Sequence, residues 1–151
     1  MMLLALPSTT KAYSVLTHIA IIDGCWQNSI EPVLLKKYPG STAQQLKDAH
    51  AYAYGGAIIP DMGYYPFGTP FFTNLIHYVR TGDFVMNMLS QANNLNEYAF
   101  AMGTLAHYYA DIYGHSVAIN PSVPLVYTKM KEKFCFSMVG LRQMSGCLRQ
   151  R

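Results

Sequence analysis

From Tyr13 to Trp26 the chain is apolar with only scattered polar positions, the pattern of a largely buried helix. Glu31-Pro32 predicts the opening of a short second helix that ends at Tyr38-Pro39-Gly40. Ser41 with Gln44 matches a capping box, so a third helix is expected through Leu46, Ala49, His50 and Ala53, stopping near Gly55-Gly56. Residues 57–70 hold Pro60, Gly63, Pro66, Gly68 and Pro70 and read as an ordered loop. Thr69-Pro70 suits the cap and first position of a helix from Phe71 to Arg80, closed by Gly82. Asp83 then caps a helix from Phe84 to Gln91, and Asn93 to Asn96 breaks it. A long apolar helix follows from about Glu97 to Gly114, and Asn120, Pro121 and Pro124 end the region. No stretch alternates with period two, so the predicted fold is all-α, a multi-helix domain without repeats or low-complexity segments.

Composition narrows this picture. A length of 151 residues suits one domain, and 51% of them are hydrophobic against 13% charged. No apolar run reaches the 18 residues of a spanning helix, so no integral membrane segment is expected. The net charge of +3 divides unevenly: residues 1–128 hold 5 basic and 7 acidic side chains, whereas 129–151 hold 6 basic residues and only Glu132. The body therefore has no basic surplus for a phosphate backbone, which argues against nucleic acid as partner without excluding it. Cys25, Cys135 and Cys147 lack metal-type spacing.

Met1 to Leu6 is apolar, Pro7 to Thr10 is polar and turn-like, and Ala12 suits the position before a signal cleavage. Residues 1–12 read as the remnant of a signal peptide without its basic first region, and the expected location is secreted or periplasmic. An ordinary frayed terminus is the alternative.

The strongest chemical signal is His107-x-x-x-Asp111-x-x-x-His115. On a continuous α-helix these side chains stand at roughly 0°, 40° and 80°, on one face. Leu105, Ala106 and Ala110 make the surroundings apolar, and three ionisable groups buried there need a compensating partner. A zinc ion with N and O ligands supplies one, and a carboxylate between two imidazoles can bridge two metals. Further ligands must come from elsewhere. Asp61 follows an apolar run into a Pro/Gly-rich turn, where a plain turn aspartate is the simpler reading. His77 and His18 each lie on an apolar helix, where a core histidine is the simpler reading. What favours metal is their number: four of the five histidines fall in apolar helices.

Taken together, Thr17-His18, Gly56-x-x-x-Pro60-Asp61, Asn74-x-x-His77-Tyr78 and the His107/Asp111/His115 triplet resemble the zinc-dependent phospholipase C family. Glycosylphosphatidylinositol-specific phospholipase D shares that domain, and the fungal single-strand-specific zinc nucleases share its fold and metal site. The resemblance covers residues 13–134. It implies an all-helical domain with up to three zinc ions. By that analogy Asp61, His77, His107 and Asp111 hold one zinc, and Asp61 orients or deprotonates the attacking water. Asp111 bridges to a second zinc that His18 also binds. In the family the N-terminal residue of the mature chain completes that second site; here cleavage after Ala12 leaves Tyr13 in that place. His115 serves the remaining zinc.

Two features depart from the family pattern. Tyr13 stands where Trp is usual. The last zinc normally takes a later His-x-x-x-Glu or His-x-x-x-Asp pair, yet no His follows His115 and the only acid after Asp111 is Glu132. With the basic block 135–151, this leads to the expectation of a C-terminally incomplete chain, truncated or frame-shifted near residue 134. Three functional readings follow: a zinc-dependent phosphodiester hydrolase acting on phospholipid, a nuclease on the same site, and an inactive metal-binding remnant. His50 and Trp26 are expected to be structural. Tyr64, Tyr65, Tyr78, Tyr108 and Tyr109 either line a substrate pocket, form an aromatic cage or, the simpler expectation, pack in the core.

Overall fold

The computed structural model describes residues 15–122. Among them are six α-helices and no strand, so the fold is all-α. None of these helices is long and apolar enough to cross a membrane. The chain forms two compact units, Met1–Asp111 and Ile112–Arg151. The signal-like residues 1–12, Tyr13, Glu132 and the basic tail all lie outside the described residues.

The first unit begins with α1 (Val15–Cys25), which continues through a π-helical turn, Trp26–Ile30, into α2 (Glu31–Lys37). Ile22, Trp26, Ile30 and Leu34 recur every four residues along this path and are all buried. His18 is one step earlier on the same stripe and is 2% exposed. Helix α3 (Ala43–Ile58) supplies a second stripe, Ala49, Ala53 and Ala57, and α6 (Leu95–Gly114) a third, Ala99, Gly103 and His107, all of them buried. The large side chains of the first stripe and the alanines at 49, 53, 57 and 99 form one core cluster.

Small residues let α3 and α6 touch through their backbones. A Cβ on Gly56 would stand 1.9 Å from the carbonyl oxygen of Phe100, and one on Gly103 would stand 2.0 Å from that of Ala53. The Thr104 hydroxyl donates to the Gly56 carbonyl across this contact, at 3.0 Å. This explains why α3 does not stop at Gly55-Gly56 as expected. The glycines weaken the helix locally, but the neighbouring backbone fills the space their side chains leave.

Other boundaries also differ from expectation. The capping box is Thr42 with Gln45, one residue later than Ser41 with Gln44, because the Ser41 hydroxyl donates to the Tyr38 carbonyl at the end of α2. Within the expected loop, Ile59–Tyr64 forms a 3-10 turn. Helix α4 (Pro70–Tyr78) ends two residues before Arg80. Helix α5 (Thr81–Gln91) starts ahead of Asp83: Arg80 takes a left-handed conformation at the cap, and Asp83 in the first turn accepts from its guanidinium. Asn94 accepts from the Glu97 amide and opens α6 earlier than expected.

The described part of the second unit, residues 112–122, comprises the end of α6 and a π-helical turn, His115–Ile119. The backbone is still helical at Ser122, within the Asn120 to Pro124 stretch expected to end the region. Regular α geometry, on which the 80° position of His115 relied, stops at Gly114.

Candidate metal centre

Each ligand candidate of the first unit sits where a buried stripe or a fixed turn ends. His18 closes the α1 stripe and His107 closes the α6 stripe. Asp61 lies in the 3-10 turn, whose Gly63 amide donates to the buried Thr73 hydroxyl of α4 at 2.7 Å. That bond fixes the turn against α4, which carries His77. Asp111 is one helical turn beyond His107. Asp61 is 7% exposed and His107 is 2% exposed, so both are withdrawn from solvent.

These five side chains converge. His77 Nε2 lies 3.4 Å from Asp61 Oδ1 and 3.3 Å from Asp111 Oδ2. His107 Nε2 lies 3.4 Å from Asp111 Oδ2 and 4.0 Å from Asp61 Oδ1. His18 Nε2 lies 3.7 Å from Asp111 Oδ1 and 3.8 Å from Asp61 Oδ2. The His18 and His107 rings stack with centroids 3.9 Å apart. Two groups of three have ligand atoms near enough to share an ion: His18 with Asp61 and His107, and His77 with His107 and Asp111. His107 belongs to both.

The second set of hydrogen bonds decides the chemistry. His107 Nδ1 is 2.7 Å from the Ala57 carbonyl oxygen, and His77 Nδ1 is 2.8 Å from that of Thr73. A carbonyl only accepts, so both Nδ1 atoms carry the proton and donate it. In the neutral rings both Nε2 atoms are then bare lone pairs, yet they face each other at 3.3 Å, with two carboxylates beside them. Acceptors gathered this closely repel unless a cation lies among them. The donor set, imidazole nitrogens oriented by backbone carbonyls together with carboxylate oxygens, fits zinc.

The electrostatics agree. Hydrogen bonds to Asp111 and Asp61 push the His77 imidazole up to about 10 against the loss from burial, so a proton serves as cation when no metal is bound. Burial and the neighbouring His107 push His18 down to about 4. For Asp111 burial works upward, but the adjacent His107 and His77 outweigh it and hold the carboxyl well below the usual range.

The remaining sequence candidates are placed as follows. Tyr13 is outside the described residues, and His115 lies half-buried in the second unit, at the start of its π-helical turn. His50 stacks on Trp26 at 4.0 Å and pairs with Asp23 at 3.2 Å, tying α1 to α3. Core packing was the simpler expectation for the tyrosines, but Tyr64, Tyr65, Tyr78 and Tyr109 are exposed. The turn that carries Tyr64 and the helix that carries Tyr78 bury Asp61, Thr73 and Ile76 instead, which leaves these rings outside. Sequence reasoning missed the Ala57 and Thr73 carbonyls that orient the rings. Only the four-residue spacing from Thr73 to His77 signals one of them.

A family model described as zinc dependent phospholipase C matches residues 17–139. Comparison with curated proteins and with solved structures gives no match.

Proposed function

Since the chain belongs to the zinc-dependent phospholipase C family and is of the zinc phosphodiesterase kind, we propose that it hydrolyses the phosphodiester of a phospholipid on the diacylglycerol side. One observation carries the reading: His18, Asp61, His77, His107 and Asp111 converge, with each histidine Nε2 within 4.0 Å of a carboxylate oxygen of both Asp61 and Asp111, a donor set that fits zinc. Zinc bound there supplies acidification of a water and neutralisation of charge on the attacking and leaving oxygens.

The chain's own residues supply the rest. Ala57 and Thr73 fix the His107 and His77 tautomers, so that both Nε2 atoms point at the centre. Asp111, reached by His18, His77 and His107, sets the spacing of the centre. Asp61 holds the attacking water and takes its proton. Water adds its oxygen to phosphorus, the ester P–O bond breaks, and the alcohol leaves with a proton. In this reading Tyr13 and His115 are further ligands, and export to the cell exterior or periplasm follows cleavage after Ala12. N-terminal sequencing of exported protein, expected to begin at Tyr13, tests that part.

The decisive assay supplies zinc and compares a soluble short-chain phosphatidylcholine with single-stranded DNA. Release of phosphocholine without DNA cleavage is the expected result. DNA cleavage alone moves the chain to the nuclease reading, and turnover of neither substrate identifies a metal-binding remnant.

A further inference from the structure

We propose that the turn and helix carrying Asp61 and His77 also form a docking surface for the uncharged, zwitterionic face of a phospholipid bilayer. This rests on the phospholipid reading above and adds a second surface to it. Residues 62–79 contain no Asp, Glu, Lys or Arg, although the segment is largely exposed. On α4, Phe71, Leu75 and Tyr78 stand at steps of four and three and share one face, opposite Thr73 and His77. All three are exposed, Phe71 at 74% and Tyr78 at 76%, so the apolar face of this helix points to solvent while its polar face points to the metal centre. That inverts the usual order of a globular helix.

The loop before α4 adds Tyr64, Tyr65 and Phe67. Phe67 is fully exposed and has φ 68°, a left-handed conformation disfavoured for a residue with a Cβ. The loop around it is tightly closed. Gly68 donates to the Tyr65 carbonyl at 2.8 Å, and a Cβ on Gly68 would stand 2.4 Å from the Met62 carbonyl oxygen. A bulky ring is thus held outward on a constrained backbone, at the mouth of the same turn that carries Asp61.

The chemistry of the patch selects its occupant. Phenyl rings suit the acyl boundary, and tyrosines, apolar in body and polar at the tip, suit the headgroup layer. With no basic residue, the patch has no means to favour anionic lipid, so it matches a zwitterionic surface. Docking there brings the bilayer to the elements that hold Asp61 and His77, where a lipid phosphodiester must reach the centre.

The test is flotation of the full-length, zinc-supplied chain with phosphatidylcholine vesicles, wild type against the double variant Phe67→Asn, Phe71→Ser. Asn tolerates the left-handed backbone at 67, and unchanged melting and zinc content establish that the variant folds. The expected result is about tenfold or greater loss of vesicle binding in the variant. Wild-type binding should persist when salt rises from about 0.1 to about 0.5 M, and turnover of monomeric short-chain lipid should be unchanged in the variant. Equal binding by both proteins overturns the proposal. So does binding that vanishes at high salt, which assigns it to the basic residues 129–151. A wild-type self-association abolished by the variant, with no vesicle binding, makes the patch an interface between copies and also overturns it. Variant-sensitive vesicle binding without any lipid turnover supports docking while refuting the phospholipase reading.

Discussion

Adding one methyl group at Gly103 should do about as much damage as deleting a large buried side chain from the core. In an open helix Gly→Ala stabilises by about 1 kcal/mol, because alanine loses less backbone freedom on folding. At Gly103 the new Cβ meets the Ala53 carbonyl oxygen at 2.0 Å, its carbon at 2.8 Å and the Ala57 amide nitrogen at 3.0 Å. A carbon rests at about 3.3 Å or more from a carbonyl oxygen, so α6 and α3 must part by roughly 1.3 Å. Every atom that collides is backbone, and no rotamer relieves it. Overpacking of this kind costs about 1–3 kcal/mol. The same separation stretches the 2.7 Å bond from His107 Nδ1 to the Ala57 carbonyl. Losing that buried bond adds about 1–3 kcal/mol. Against the propensity gain, the net expectation is destabilisation by roughly 3 kcal/mol. The matched control is Gly24→Ala in α1, where nothing lies within 4 Å of the added carbon. That variant should gain about 0.5–1 kcal/mol. Urea unfolding with zinc supplied measures both changes, and elemental analysis should find less zinc in the Gly103 variant. If Gly103→Ala unfolds at the wild-type midpoint with full zinc content, the account of the α3–α6 contact is wrong.

Removing zinc with a chelator should lower the melting temperature and adding zinc should restore it; a melt indifferent to both contradicts the bare-acceptor argument. Asp111→Asn should reduce bound zinc sharply, whereas Asp48→Asn, at an exposed position where Gln44 donates to the side-chain oxygen that asparagine keeps, should not; equal zinc in the two variants removes Asp111 from the centre. Zinc binding should release a proton from His77 at any pH between about 5 and 9, because the metal-free ring holds it up to about 10. Calorimetry in buffers of different ionisation enthalpy reads this directly, and no release at pH 8 refutes it. The raised His77 value also stabilises the metal-free fold fully below about 6.5, and that contribution is lost as pH climbs through about 10. The lowered His18 value acts oppositely, destabilising as pH falls from about 6.5 through about 4, so metal-free melting should peak near neutrality.

The helices and two of the ligands, His18 and His107, are legible in the sequence for one reason: both lie on buried stripes with a spacing of four. Ile22, Trp26, Ile30 and Leu34 announce a helix by apolar recurrence, and His18 occupies the next position of the same series. A histidine that extends an apolar stripe by one step is buried by the same packing that buries the stripe, so the spacing shows its burial, while telling a ligand from a core histidine takes the other histidines and carboxylates beside it. His107 extends Ala99 and Gly103 in the same way. Boundaries are less legible because they are settled by competition among equals. Ser41 and Thr42 each have a glutamine three residues on, and only the Tyr38 carbonyl, which claims the Ser41 hydroxyl, decides between them.

What the residues could not reveal is the role of the glycines at the centre of the molecule. Gly55-Gly56 reads locally as a helix stop, and by propensity it should be one. In the fold the backbone of Phe100 occupies the space beside Gly56, and that contact carries α3 onward to Ile58. Without that extension Ala57 would not present its carbonyl to His107, and the imidazole would be free to choose the other tautomer. A tertiary contact between two backbones thus fixes the protonation of a ring on a different helix. The motif Gly56-x-x-x-Pro60-Asp61 therefore serves the centre twice: the glycine orients His107 through Ala57, and the proline turn delivers Asp61. Reading only the titratable residues finds the ligands but misses the small residues that determine which of their atoms face the metal.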